Sequence, residues 1–374
     1  MPIDPPSVAP ARVGTRDPRS DPVLLDAIAR VAPGTALRQG IDDIIRSHEG
    51  ALLVVGDPVA LSPLFSGGIP VDQPFTPQLL YELAKMDGAI VITEDLGRLA
   101  YANVQLVPDP AIPSAETGTR HRTAERVARQ TGSLVVSISQ QRETVTVFIG
   151  TLRHQLDPIA TVFAKANQAL AAVDSYRKRL EQMLTRLTAL EFRNGATLED
   201  VLVVLQHAEM TTRMVREVEN DCVELGHEGR LIQVQLEGLA GQVPEAKSAV
   251  VADYLHSDDP GDVATVCDRL VRIADESLLD SGLLAELLGF PRGVDPLETA
   301  VSPRGIRALA HVPRLPGNLI RTVVAELDGL DGIVRASLRE LGAVDGVGSV
   351  RAREIKEGLR RLEEHNLLER NLGV

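Results

Sequence analysis

The sequence predicts an α/β domain with a mixed sheet at the N-terminal end, an all-α spine through the middle and a small all-α block at the C-terminal end. Three observations carry this. Short Val- and Ile-rich runs alternate with helical patterns from Leu24 to Gly150, the arrangement of a sheet covered by helices. From Asp157 the apolar residues recur at helical spacing instead, and strand signals vanish through residue 300. From Pro303 the charge balance turns: residues 303–374 hold 12 Lys and Arg against 10 Asp and Glu, or +2, which leaves −15 for the rest of a chain whose formal net charge is −13. A single core rarely grows past about 250–300 residues, so the 374 residues divide into blocks at 21–150, 151–302 and 303–374. Residues 1–20, rich in Pro, Arg and Asp, read as a disordered start.

Within the first block the strand-like runs are Ala51–Val55, Gly88–Thr93, Ala100–Val107, Leu134–Ser139 and Val145–Ile149. Between them Ala36–His48, Pro77–Met86 and Arg120–Thr131 read as helices. In Asp157–Phe192 the positions Ile159, Val162, Phe163, Ala166, Leu170 and Val173 open an apolar stripe that continues to Leu190, which predicts one long amphipathic helix. A second follows Gly195, from Leu198 to about Leu225. The heptad-like spacing around Leu170–Leu190 fits packing of this spine. Near the end, Leu338-Arg339-Glu340-Leu341 leads through Val344-Asp345-Gly346-Val347-Gly348 into another amphipathic helix, RAREIKEGLRRL.

Composition narrows the function. A net charge of −13 and a pI near 5.2 argue against a protein that coats nucleic acid or anionic membrane over its whole surface, and leave room for a local basic patch. Cys222 and Cys267 lie far apart in helical segments, so neither a disulfide framework nor a zinc site is suggested. The start lacks the apolar stretch of a signal peptide and no run reaches the ~18 apolar residues of a membrane span, so a cytoplasmic protein is expected. His207, Glu209, His227 and Glu228 sit on patterned helices without a third partner at metal-ligand spacing, and read as surface residues.

One stretch breaks the rules of helix design. In Glu116-Thr117-Gly118-Thr119-Arg120-His121-Arg122-Thr123 a loop runs into a helix whose first turn is cationic, although a helix N-terminus itself carries about half a positive charge. Hydroxyls, a glycine and cations at exposed N–H groups make a polyphosphate cradle. The bland alternative pairs the arginines with Glu116 and Glu125 on the surface. A P-loop pattern is absent. Upstream, Asp87-Gly88-Ala89 stands where a helix hands over to an apolar strand.

With Ala102-Asn103-Val104-Gln105-Leu106 between them, these two motifs resemble the diadenylate cyclase domain, and the order of blocks resembles the DisA family of DNA integrity scanning proteins. The resemblance implies a nucleotidyltransferase that joins two ATP molecules into cyclic di-AMP with loss of two pyrophosphates, using Mg2+ or Mn2+. It implies that Asp87 holds the metal and helps activate the attacking ribose 3′-hydroxyl, that Gly88 lets the backbone approach the nucleotide, and that Leu106 lines the adenine pocket. Thr119, Arg120, His121, Arg122 and Thr123 would bind the triphosphate, with catalytic roles for Arg120, His121 and Arg122, and Ser139 would add a phosphate contact. Many family members place an arginine directly after that serine, whereas here the order is Ser139-Gln140-Gln141-Arg142. Each ATP must present its 3′-hydroxyl to the other, so two cyclase domains should meet face to face in a homo-oligomer, by resemblance an octamer.

The C-terminal Val-Asp-Gly-Val-Gly element resembles a helix-hairpin-helix, in which Gly346 and Gly348 let backbone N–H groups approach a DNA phosphate while Arg351, Arg353 and Lys356 add sequence-independent attraction. Ile306–Ile320 looks like a degenerate partner hairpin. Neither offers base-edge readout, so recognition of branched DNA shape is expected over sequence. The leading reading is a cyclase coupled to DNA binding as an integrity checkpoint. Its rivals are a DNA-scanning protein that binds ATP as a sensor without turnover, and a nucleotidyltransferase acting on a DNA end.

Overall fold

The computed structural model describes residues 19, 21–256 and 260–372. The expected disordered start lies, apart from Arg19, outside them. The chain forms two compact units. A sheet unit holds the described residues up to Leu170 together with Glu217–Leu236, and a helical unit holds Ala171–Arg216 with the chain from Glu237 onward.

In the sheet unit α1 (Pro22–Arg30) and α2 (Ala36–Arg46) come first, started by Asp21 and Thr35, whose side chains accept from Val23 N and Arg38 N. Then follow β1 (Leu52–Val55), the single turn α3 (Pro58–Leu61), β2 (Phe65–Ser66), β3 (Ile69–Pro74), α4 (Pro77–Ala84), β4 (Ala89–Ile92), β5 (Arg98–Leu106), α5 (Thr119–Thr131), β6 (Leu134–Ser139), β7 (Thr144–Ile149) and β8 (Leu152–Leu156). The strand order is β2-β5-β4-β1-β6-β7-β8, with β3 also on β5. Strands β1 and β4 are parallel and the remaining neighbours antiparallel, which is the mixed sheet the sequence predicts.

Central strands β1 and β4 are buried at every residue, because helices cover both faces and no position can be polar. On one face Ile28, Ile41, Ile44 and Leu80 of α1, α2 and α4 pack on Leu53, Val55, Ile90 and Val136. On the other, Ala124, Val127 and Ala128 of α5 pack on Leu52, Val54, Val91 and Val135. Strands β2, β3 and β8 carry no apolar run to announce them. They lie at the sheet edges, where β3 exposes most of its residues and accommodates Pro70 and Pro74. Strand β8 also carries the sheet to Leu156, past the expected boundary at 150.

Helices α6 (Ile159–Glu191) and α7 (Leu198–Leu225) match the two long stripes, and the division between the units falls within both. They are followed by α8 (Arg230–Ala240), α9 (Val243–Tyr254), α10 (Pro260–Arg272) and α11 (Ser281–Leu287). Val201, Leu205, Val250, Tyr254 and Leu284 centre the core of the helical unit. A second core there joins α12 (Ile306–Ala310), α13 (Gly317–Glu326), α14 (Gly329–Arg335), α15 (Leu338–Ala343) and α16 (Gly348–Leu372) through Leu309, Val323, Ile333, Leu341 and Ile355. No helix among the described residues is long and apolar enough to cross a membrane.

The expected boundary at 302 is bridged by buried polar chemistry. Asp253 of α9 accepts from the N–H groups of Gly305, Ile306 and Arg307 at 2.9, 2.6 and 3.0 Å, which caps α12 from outside its own sequence. The buried Arg307 guanidinium donates to Thr188 Oγ1 at 2.7 Å and to Glu191, and Tyr254 Oη donates to Glu191 at 2.5 Å. Glu209, expected at the surface, is instead fully buried, its charge met by Arg213 at 3.0 Å and Lys247 at 2.8 Å.

Candidate nucleotide site and hairpin

The sheet register gathers the candidate residues of the first unit at one end. Ala89 at the start of β4 pairs with Leu52 at the start of β1, and Leu52 pairs in turn with Ser137 near the end of β6. On its other side Ala89 faces Val104 near the end of β5. Asp87-Gly88, Val104–Leu106, Gly50 and Ile138-Ser139 therefore lie along the same sheet end. Helix α5 runs back against β6, and Arg120 in its first turn donates to Ile138 O at 3.3 Å, which brings the Arg-His-Arg segment to that end as well.

Asp87 is exposed and lies in the short turn between α4 and β4. Gly88 has φ +96°, and a Cβ there would lie 2.9 Å from Asn103 C and 3.0 Å from Val104 N and O. No side chain fits. The close approach meets a bulge in β5, where Asn103 also adopts a positive φ of 51°. Leu106 is 8% exposed on the α5 face of the sheet.

Gly118 is the N-cap of α5 and offers no side-chain bond, and the first turn holds no acidic residue. Its leading N–H groups have no intrahelical acceptor. Glu116 binds Arg153 at 2.5 Å, while Glu125 is buried and accepts from Arg129 at 2.6 Å, Ser114 Oγ at 2.5 Å and Ala115 N at 3.0 Å. Both acids are thus engaged elsewhere. Arg120 rests on the Ile138 carbonyl and Arg122 on those of Glu116 and Thr117, and neither has a carboxylate partner among the described residues. Thr119 is exposed, Thr123 and Ser139 are half-buried, and Ser139 Oγ accepts from Arg142 N at 3.4 Å. His121 lies edge-on to Phe148, and burial first, then the charges of Arg153, Arg120 and Arg142, hold its pKa below the ordinary histidine value despite Glu116.

Sequence reasoning missed the supports of this site. The loop before α5 is tied down by Arg126 to Ile112 O, Arg129 to Pro113 O and Gln130 to Asp109 N, at 2.9, 3.0 and 3.0 Å. Gly50 leaves the space that the Arg120 guanidinium occupies beside Ile138 O. The i, i+4 spacing of Glu125 and Arg129 was the one legible signal.

A divalent ion fits Asp87 only in a particular way. Among the described residues no group of three or more His, Cys, Asp or Glu is placed to hold a metal. One exposed carboxylate completed by phosphate oxygens and water is the usual Mg2+ arrangement, so the donor set suits an ion that arrives with a nucleotide.

At the other end of the chain, Gly346 between α15 and α16 and Gly348 at the start of α16 take positive φ of 80° and 59°, with Val344 and Val347 buried beside them. Nothing lies within 4 Å of a Cβ built on Gly348, so this helix start is open. Arg353 is exposed, and Arg351 folds back to donate to Gly346 O at 2.6 Å. Lys356 donates to Ile333 O at 3.3 Å and Val334 O at 2.5 Å, closing the C-terminal end of α14, and burial lowers its pKa. In the upstream loop between α12 and α13 Arg314 holds a positive φ of 61° and Gly317 opens α13.

Comparison with known proteins finds two family models along the chain. Residues 38–152 match the family of DisA bacterial checkpoint controller nucleotide-binding domains, and residues 156–297 match the DisA bacterial checkpoint controller linker region. DNA integrity scanning protein DisA of Carboxydothermus hydrogenoformans is 45% identical over 344 residues, covering 92% of this chain and 98% of that protein. The chain belongs to the DisA family. The DisA protein of Symbiobacterium thermophilum is 46% identical over 345 residues, with 92% of this chain and 97% of that one covered, and that of Acetivibrio thermocellus is 41% identical over 358 residues, with 94% and 98% covered. As a DisA protein the chain is an enzyme of the nucleotidyltransferase class with a diadenylate cyclase domain. The DisA nucleotide-binding match covers the sheet end described above, from α2 to β8.

Proposed function

We propose that this chain condenses two ATP molecules into cyclic di-AMP and two pyrophosphates, and that DNA held by its C-terminal hairpins governs that output. The observation that carries the reading is the convergence of Asp87-Gly88, Leu106, Ser139 and a carboxylate-free Arg120-His121-Arg122 turn at one sheet end. Thr119, Arg120, Arg122, Thr123 and Ser139 hold the triphosphate by charge-assisted and hydroxyl contacts at the α5 N-terminus. His121, whose pKa burial holds below the ordinary histidine value, serves as a hydrogen-bonding partner. Gly88 lets backbone meet the nucleotide, and Leu106 offers apolar surface to the adenine.

In the reaction the ribose 3′-oxygen of one ATP bonds to the α-phosphorus of the other, the bond from that phosphorus to the bridging oxygen breaks, and pyrophosphate leaves. A Mg2+ or Mn2+ ion held by Asp87 would supply positive charge to the phosphoryl oxygens. The arginines position the triphosphate and offset the charge that builds on the leaving group. Closing the ring repeats the step with the roles of the two nucleotides exchanged and releases the second pyrophosphate, each 3′-hydroxyl proton passing to solvent, so two cyclase domains face each other across a two-fold axis in a cytoplasmic homo-oligomer, with an octamer as the family form.

At the hairpins the N–H groups beside Gly346 and Gly348 would meet a DNA phosphate, with Arg351, Arg353 and Lys356 in support. Branched DNA, which presents several phosphate backbones at once, is the expected ligand. ATP labelled at the α-phosphate tests the reading. The label should move into a small product. Label bound but never transferred would leave an ATP sensor, and label in DNA would make the chain a DNA-end nucleotidyltransferase.

A further inference from the structure

Helix α6 carries a basic face that the nucleotide site and the hairpins do not use. Between Asp174 and Arg186 it holds Arg177, Lys178, Arg179 and Arg186 against the two carboxylates Asp174 and Glu181. Both carboxylates are occupied, by Arg177 at 3.1 and 2.5 Å, and Lys178 shares Asp174 at 2.7 Å. Arg179 and Arg186 have no carboxylate partner among the described residues. With Ser175, Lys178, Gln182 and Met183 they line an open concavity of about 580 Å³. These positions recur at helical spacing and share one side of α6, and at 1.5 Å per residue Arg179 and Arg186 stand about 10 Å apart along it.

The charge here is real and unspent. Arg179 is felt at His207, whose pKa is held down by burial first and by this cation second. The concavity is polar, with Met183 its single apolar residue, so it suits an extended anion better than an apolar ligand. Two uncompensated arginines in a protein of net charge −13 attract phosphate locally while the rest of the surface repels it. The same stretch is continuous with the hairpin region. Phe192, just past α6, packs on the hairpin core, and Asn194 donates to Asp331 of α14 at 3.1 Å.

We infer that this face of α6 is a second, sequence-independent contact for the phosphate backbone of duplex DNA whose end or branch is held by the hairpins. The inference rests on the DNA-binding reading above. Arginines on a helix side reach phosphates without reading bases, and each phosphate neutralised releases a counterion.

The test compares full-length wild type with Arg179→Gln/Arg186→Gln, measuring affinity across salt concentrations for a duplex of about one helical turn and one of about four turns. On the long duplex the slope of log affinity against log salt should be shallower in the variant by about 1.8, while the short duplex should bind both proteins alike. In wild type, the exposed Lys178 should be protected from acetylation by the long duplex alone. An unchanged slope on the long duplex, or full-rate acetylation of Lys178 in the complex, overturns the inference and leaves DNA binding at the hairpins intact. A variant that falls to a smaller assembly in light scattering, with Lys178 unprotected by DNA in wild type, assigns the face to a second copy of the chain and also overturns it. Wild type that binds neither duplex overturns the DNA-binding reading itself.

Discussion

At residue scale the decisive positions are those where a side chain is either forbidden or unpaired. Gly88 belongs to the first kind, since its φ of +96° and its contact with the β5 backbone exclude a Cβ. Gly88→Ala should therefore cost about 1–3 kcal/mol of stability and displace Asp87, which thermal unfolding together with a turnover assay would reveal. Wild-type values in both would show that β5 yields freely. Asp87 is exposed, so Asp87→Asn should keep the melting temperature and lose most turnover, because an amide lacks the charge to hold a metal. Arg120 and Arg122 belong to the second kind. Replacing both by Ala removes contacts worth roughly 1.5–3 kcal/mol each, so ATP affinity in a titration should drop by about a hundredfold or more. Unchanged affinity would return both to the role of surface cations.

Elements show where sequence was sufficient and where it was not. The runs of β1, β4, β6 and β7 were legible because central strands under two helical layers must be apolar throughout. α6 and α7 were legible because their stripes persist for many turns. Edge strands β2, β3 and β8 were invisible, since an edge needs no apolar run and tolerates Pro70 and Pro74. The cationic start of α5 was legible as an anomaly, yet only the fold shows that Glu116 and Glu125 turn to Arg153 and Arg129 and leave Arg120 and Arg122 without a carboxylate partner among the described residues. Long-range caps were equally hidden. Asp253 lies some fifty residues from the N–H groups it satisfies, a separation no local pattern encodes. Asp253→Ala should strand those buried N–H groups while Arg307 keeps Glu191, at a cost of about 1–3 kcal/mol, read as a lower urea midpoint for the helical unit. An unchanged midpoint would mean that water replaces the carboxylate without loss. The same network explains why cutting at 303 is a poor way to remove the hairpins, since Thr188, Glu191 and Asp253 would lose Arg307. Point variants in the full chain are the suitable tools.

The whole molecule is an acidic chain whose C-terminal block, residues 303–374, carries a balance of +2 against −15 for the rest. If two sheet units complete one reaction, mixing Asp87→Asn with Arg120→Ala protein should not restore full synthesis, because every facing pair would then carry a defect on each side. Complete recovery on mixing would contradict the face-to-face arrangement. If DNA at the hairpins strains those pairs, a slight misalignment of the in-line attack is enough to slow synthesis, and branched DNA should inhibit more than linear duplex of equal length. Equal rates at concentrations where DNA is bound would separate the two activities. The most direct measurement is the mass of the small molecules formed when the full-length protein meets ATP and Mg2+ or Mn2+. Cyclic di-AMP with two pyrophosphates per molecule should appear, and should vanish in Asp87→Asn. ATP recovered intact, under conditions where a titration shows it bound, would contradict the cyclase reading.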